Sequence, residues 1–221
     1  MSWASHLIEF YTSLRPVPLP GKVETLFPFA DPETGRIVRA FFNRFYDDSD
    51  PRRLILGINP GRFGAGVTGV NFTAPRQLKQ ELGIEHPFSD KSELSAEFIY
   101  KMIAAYGGPE LFYHHYFIGS VSPLGFIREG LNLNYYDDKE LLRILTPSIA
   151  EGIAKLVSYG FERDKCFCIG GDKNFRFLEK LNGEHGFFKE IISLPHPRFI
   201  MQYRRKRVEE YVELYLEKLK A

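Results

Sequence analysis

Apolar residues along the chain fall into two kinds of run. Short, nearly continuous runs read as buried strands, and longer runs that recur every three or four residues read as helices. Leu54-Ile55-Leu56-Gly57-Ile58 is of the first kind, and so are Leu111 to Val121, Cys166 to Ile169 and Phe187 to Leu194. Ser5 to Leu14 predicts a short helix, which Arg15-Pro16-Val17-Pro18-Leu19-Pro20 ends in extended chain. A Thr73 cap before Ala74-Pro75 predicts a helix ending near Gly83, and Glu93 to Tyr106 predicts another, stopped by Gly107-Gly108-Pro109. Further helices are expected from Thr146-Pro147 to Gly160 and from Asp172 to Leu181, the latter closed by Asn182-Gly183. The last runs from about Tyr203 to the end, with Val208, Tyr211, Val212, Tyr215 and Leu219 on one face. Residues 21–50 show little periodicity. Strands alternating with helices predict an α/β fold, a mainly parallel sheet covered by helices on both sides. Ligands in such folds bind outside the carboxyl ends of the strands. The segments after Ile58, Ile118 and Leu194 are therefore where chemistry is expected.

Composition narrows this picture. The 221 residues, 44% of them hydrophobic, suit one domain spanning 1–221. No apolar run approaches the ~18 residues of a membrane span, and the N-terminus lacks a signal-peptide pattern. The net charge of +1 gives no global attraction to nucleic acid, so a DNA partner requires a local basic patch. Cys166 and Cys168, two apart on a strand, face the same way and are poorly placed to bond each other. Two buried thiols in a reducing, bacterial-type cytoplasm are expected, and two cysteines are too few for an iron–sulfur cluster.

After the first strand comes Asn59-Pro60-Gly61-Arg62-Phe63-Gly64-Ala65-Gly66-Val67-Thr68-Gly69-Val70-Asn71-Phe72. It is neither a Walker loop nor a dinucleotide fingerprint. Asn59 at the strand tip can orient a water through its carbonyl but is no strong base; Asn-Pro-Gly is equally a plain turn. After the second strand, Gly119-Ser120-Val121-Ser122-Pro123 offers small polar groups that read a base edge or merely turn the chain. His114 and His115, adjacent on a strand, would face opposite ways and make poor joint metal ligands. After the fourth strand, Pro195-His196-Pro197 holds an imidazole stiffly, able to donate to charge developing on a leaving group. Arg204, Arg205, Lys206 and Arg207 then open the last helix, where the macrodipole disfavours cations by about 0.3–1 kcal/mol each. An external anion such as a DNA phosphate would offset that cost; a solvated charge run is the plainer alternative.

Together the three segments resemble the SMUG type of the uracil-DNA glycosylase superfamily. Gly57 to Phe72 matches its glycine–x–Asn-Pro-Gly loop and the following Thr-Gly-Val-x-Phe without a gap. Pro109-Glu110-Leu111-Phe112-Tyr113-His114-His115 through Ser122-Pro123-Leu124 looks like its middle stretch, and Pro195-His196-Pro197 like its His-Pro loop. Order and spacing agree over roughly residues 54–216. The resemblance implies a three-layer α/β/α fold with a central four-stranded parallel sheet and no cofactor or metal. It further implies removal of a deaminated base from single- or double-stranded DNA by a monomer. Asn59 would position the attacking water and His196 would stabilise the departing base. Ile58, Gly61 and Phe63 would belong to the base pocket, with Phe72 as the stacking ring. Arg198, Phe199, Ile200, Met201, Gln202 and Tyr203 would form the wedge that fills the gap in the duplex, and Arg204 to Arg207 would hold phosphates. No lysine in these segments suits Schiff-base chemistry, so no strand nicking is expected.

This chain departs from the family at the base reader. The family's Asn in the middle segment aligns with Ser120 and its neighbouring His with Gly119; Arg62 replaces a proline, and the His-Pro loop is altered and shorter. A serine hydroxyl can reverse its polarity, which weakens discrimination by paired hydrogen bonds. Uracil is the first substrate expected, with xanthine or hypoxanthine second. Two other classes compete: a non-catalytic DNA lesion binder on the same fold, and an enzyme for free nucleosides or nucleotides, which would need neither wedge nor cation run.

Overall fold

The computed structural model describes residues 1–220. Helix α1 (Trp3–Ser13) is followed by β1 (Val23–Leu26), α2 (Pro32–Phe45), β2 (Arg53–Gly57), α3 (Ala65–Thr68), α4 (Pro75–Gln80), α5 (Leu94–Tyr106) and α6 (Pro109–His115). Then come β3 (Tyr116–Ser120), β4 (Gly125–Arg128), β5 (Leu131–Leu133), α7 (Lys139–Ser158) and β6 (Lys165–Ile169). Helix α8 (Gly171–His185), β7 (Glu190–Leu194), α9 (Pro197–Tyr203) and α10 (Val208–Lys220) complete the chain.

The four-stranded sheet has the order β3-β2-β6-β7 and is parallel throughout. Burial on both faces is why β2 and β6 read as unbroken apolar runs, whereas β7, at the sheet edge, is only partly buried. Tyr116 and Phe117, successive residues of β3, show the two layers: Tyr116 packs on Tyr106 of α5 and Phe112 of α6, Phe117 on Phe42 of α2. From β2 the chain steps to β3 on one side and later to β6 on the other. This reversal leaves a crevice at the carboxyl ends, the usual ligand position in such sheets. Cys166 and Cys168 are free and buried, and burial pushes both thiols up. Among the described residues no helix is long and apolar enough to cross a membrane.

Several elements differ from expectation. Residues 21–50 hold a strand and a 14-residue helix, α2, which Asp31 starts by accepting the Glu33 N–H at 3.0 Å, with Pro32 behind it. Ile37, Val38, Phe41, Phe42 and Phe45 form its buried stripe. A second, antiparallel sheet, β1-β4-β5, has no counterpart among the predicted elements. The expected strand Leu111 to Val121 is half helix: Pro109 at the first turn opens α6, and His114 and His115 lie on that helix. Helix α7 starts at Lys139, not at Thr146-Pro147, because the Asp138 carboxylate caps the Glu140 and Leu141 N–H groups. Its stripe of Leu141, Leu145, Ile149, Ile153 and Leu156 runs straight past Pro147. That burial outweighs the ~3 kcal/mol an interior proline costs. Thr73 does not cap α4; its hydroxyl serves the Asn71 carbonyl and Tyr100. Asn182-Gly183 lie inside α8, which ends at the left-handed Gly186, and β7 begins only at Glu190.

The last helix also starts later. Tyr203 ends α9, Arg205–Arg207 form a 3-10 turn, and α10 begins at Val208 with Glu209 and Glu210 in its first turn. The cations therefore precede the helix, and the acidic first turn satisfies its dipole from within.

Candidate active site

All four strands of the parallel sheet deliver a residue to one cavity of about 380 Å³, within the range that holds small ligands. Asn59 follows β2, Ser120 ends β3, Gly170 follows β6 and His196 follows β7. Ile58, Gly61, Phe72 and Arg198 line it too, together with Asn71 and Glu93. Asn132, Asn134 and Tyr136 close one side. They come from the β4–β5 hairpin and the segment after it. Glu129 and Gly130, with φ of 52° and 74°, make the hairpin's two-residue turn.

Asn59 is held at every polar position. Its Nδ2 donates to the carbonyls of Pro60 and Leu133, each at 3.3 Å, and its Oδ1 accepts the Tyr135 N–H at 3.1 Å. The side chain thus ties the β2 tip to the segment behind the hairpin, and one carbonyl lone pair is left over.

His196 stands at the N-cap of α9, where its Nδ1 accepts the Arg198 N–H at 3.1 Å. That bond puts the ring proton on Nε2, leaving a donor free for the cavity. Burial, with Arg198 nearby, lowers the imidazole to about 4, so the ring is neutral at pH 7. Tyr215 and Lys218 of α10 fix the strand end beneath it by donating to the Pro195 and Ser193 carbonyls.

Phe72 lies across the β2 tip, its ring centroid 6.4 Å from that of His196. Among the described residues it is one of two non-glycine residues at positive φ, at 52°. A Cβ on Gly57 would sit 2.7 Å from the ring, so only glycine lets the ring lie there. Ser120 is buried and donates to Asn71 Oδ1 at 2.7 Å, while Asn71 Nδ2 donates to the Tyr11 hydroxyl of α1 at 3.0 Å. With its hydrogen committed, the Ser120 hydroxyl can only accept toward the cavity.

Some expected site residues lie elsewhere. Phe63 is half-exposed outside the cavity, with the Arg62 guanidinium 4.5 Å over its ring. Ile200 and Met201 are buried, because α9 turns them inward, and they cannot serve as a wedge. Phe199 and Tyr203 face out, their ring centroids 5.7 Å apart, with Arg204 5.3 Å over Phe199. Gln202 is exposed on the same helix. Arg204, Arg205, Lys206 and Arg207 are all exposed, but Arg207 is paired with Glu210 at 2.7 Å. Asp48, Asp50 and His114 bring ligand atoms within 4.8 Å of one another, at the opposite, amino end of the strands, where Asp48 already pairs with Arg52.

Asn71, Glu93 and the hairpin residues were missed by sequence reasoning. Asn71 occupies the variable place in Thr-Gly-Val-x-Phe, where an amide directly before Phe72 was the available sign. The hairpin was announced by Glu129-Gly130 and the Asn- and Tyr-rich residues 132–136.

Comparison with known proteins agrees with this fold. The family model of the uracil DNA glycosylase superfamily matches residues 44–220. Among solved structures, the wild-type SMUG2 of Pedobacter heparinus superposes with a TM-score of 0.96 at 42% identity, covering 100% of this chain and 97% of that one. A search of curated proteins found no match. On this family match and full-length similarity, the chain belongs to the uracil DNA glycosylase superfamily and is a DNA glycosylase of the SMUG type.

Proposed function

We propose that the chain is a monofunctional glycosylase of base excision repair, a single-domain cytoplasmic monomer that needs no cofactor. It hydrolyses the N-glycosidic bond of uracil in DNA, and secondarily of xanthine or hypoxanthine, leaving an abasic site. The observation that carries this reading is that Asn59, Phe72 and a neutral His196 with a free Nε2–H line one nucleotide-sized cavity.

The target base swings out of the stack at a cost of a few kcal/mol, roughly, least for mispaired or single-stranded bases. Stacking on Phe72 returns about 1–3 kcal/mol. Ser120 accepts from a ring N–H of the base, and the second Nδ2 hydrogen of Asn71 donates to a carbonyl. Ser120 and Asn71 thus divide between them the base reading that one asparagine performs in the wider family. A pair of small groups also admits a larger base, which is the basis for xanthine or hypoxanthine as second substrates. As the glycosidic bond breaks, His196 donates to the negative charge growing on the base, and the remaining Asn59 lone pair holds the water for C1′.

Among the described residues, four of the six exposed large apolar ones, Phe63, Leu131, Phe199 and Tyr203, belong to segments bordering the cavity. Phe199 with Tyr203 replaces the expected Phe199-Ile200-Met201 as the group that fills the vacated stack. Helix α9 is about 10 Å long, so the cations at its far end meet phosphates beyond the extruded nucleotide. Replacing Arg205 and Lys206 together with alanine should flatten the salt dependence of DNA binding by about 1.8 in log–log slope, at about 0.9 per phosphate contact. An unchanged slope would place the DNA path elsewhere.

The whole reading is tested with oligonucleotides carrying uracil, xanthine, hypoxanthine or mispaired thymine, single- and double-stranded, under single-turnover conditions. Alkali-labile abasic sites are expected for uracil first, and no strand breaks without alkali. Tight binding with no abasic sites would instead make the protein a lesion binder.

A further inference from the structure

Glu93 is the one carboxylate lining the cavity, among the described residues, and the roles above do not use it. It occupies the N-cap position of α5 without capping the helix. Its side chain turns instead against the loop that carries Asn59. Oε1 would lie 3.4 Å from a Cβ on Gly61, and a Cβ on Gly64 would run into Oε2. Those two glycines create the space that the carboxylate fills. None of its oxygens has a hydrogen bond or an ion pair within 4 Å among the described residues. Burial holds its proton more tightly than an ordinary carboxylate does, and the Arg198 charge opposes that. His196 and Tyr136 are the other titratable groups of the cavity. A half-buried acid without a partner is costly to keep.

Hydrolysis must dispose of a proton from the attacking water. Asn59 has no basic lone pair to offer. His196 has none free either, since Nδ1 takes the Arg198 N–H and Nε2 carries the ring proton. We propose that Glu93 is a catalytic residue that accepts the proton of the water held by Asn59. This rests on the glycosylase reading. The C1′–N bond breaks and its electron pair leaves with the base. The water oxygen bonds to C1′ and passes one proton to Glu93. Glu93 then releases that proton to solvent, and the base anion takes one up, so one water is added across the bond. While ionised, the carboxylate also favours the positive charge that grows on the sugar.

The test compares wild type, Glu93→Gln, Glu93→Asp and Glu97→Gln on uracil-containing single-stranded DNA, by single-turnover rate against pH. Affinity is measured alongside for a 2′-fluoro uracil oligonucleotide that resists cleavage. Glu93→Gln should lower the rate on the order of 10²-fold, as loss of a general base does. Its affinity should be unchanged or tighter, because a negative charge has been removed. Wild type should lose rate as pH falls through a group above about 4.5, the ordinary glutamate value. That limb should persist in Glu93→Asp at a reduced rate and vanish in Glu93→Gln. Glu97→Gln, which removes the same charge one helical turn on, should behave as wild type. A Glu93→Gln rate equal to wild type overturns the proposal, as does a wild-type profile without the acid limb, or rate and affinity falling together. A wild type that releases no base fails the glycosylase reading itself, which separates the two.

Discussion

Exchanging His196 for asparagine will slow uracil release by about 10²–10³-fold while leaving DNA affinity and folding close to wild type. The size follows from what the imidazole does, since a preorganised donor aimed at developing charge in a shielded site contributes about 2.7–4 kcal/mol. Asparagine is the informative replacement, because His196 caps a helix as well as taking the proposed catalytic role. Its Nδ1 caps α9 through the Arg198 N–H, and asparagine is a good N-cap that keeps this bond. The shorter side chain withdraws the Nε2 donor from the cavity. His196→Ala removes both and should cost about 1 kcal/mol more in unfolding free energy. Single-turnover rates, DNA titration and urea melts of the two variants separate catalysis from capping. Wild-type turnover in His196→Asn would mean the base leaves without this donor. The lowered pKa has a consequence of definite sign. Between about pH 6.5, where an unfolded histidine titrates, and about 4, its value in the fold, the unfolded chain binds a proton that the native state refuses. Stability from this group is therefore complete above that window and declines as pH falls through it.

Asn59→Ala should cost a similar factor in turnover, and unlike His196→Asn it should also loosen the fold. The alanine leaves the Tyr135 N–H and the Pro60 and Leu133 carbonyls without their partner. Each such group costs about 1–3 kcal/mol if water cannot replace the bond. The expected signature is slow base release together with a lower urea midpoint and faster amide exchange at Tyr135. A variant that unfolds more easily yet cleaves at the wild-type rate would reduce Asn59 to a strut between the β2 tip and the hairpin.

The parallel sheet was legible because strands buried on both faces leave unbroken apolar runs, as Leu54 to Ile58 and Cys166 to Ile169 do. The tips of β2 and β7 were legible because Asn59 and His196 stand beside prolines and glycines that only a turn explains. Helix α2 was obscured by Gly35 and its charged residues, although Asp31-Pro32 and the Ile37-to-Phe45 stripe were there to be found. Of the small sheet only the Glu129-Gly130 turn was legible: its strands are three or four residues long and exist through their pairing. Ile200 and Met201 show a different limit. Apolar character is shared by wedges and core residues, and the turn of α9 decides which they are. Glu93 reaches the cavity from a segment remote from the strand tips, so only the folded chain brings it there.

On the proposed reading of the site, the bond from Asn71 to Tyr11 extends substrate choice beyond the strand tips. Tyr11 lies in a stretch that the superfamily model, starting at residue 44, leaves out. A graft of the tip loops onto another member's framework would thus carry Asn71 without the phenol that orients it. Engineers altering selectivity have to move the opening helix together with those loops, treating two distant pieces of sequence as one recognition unit.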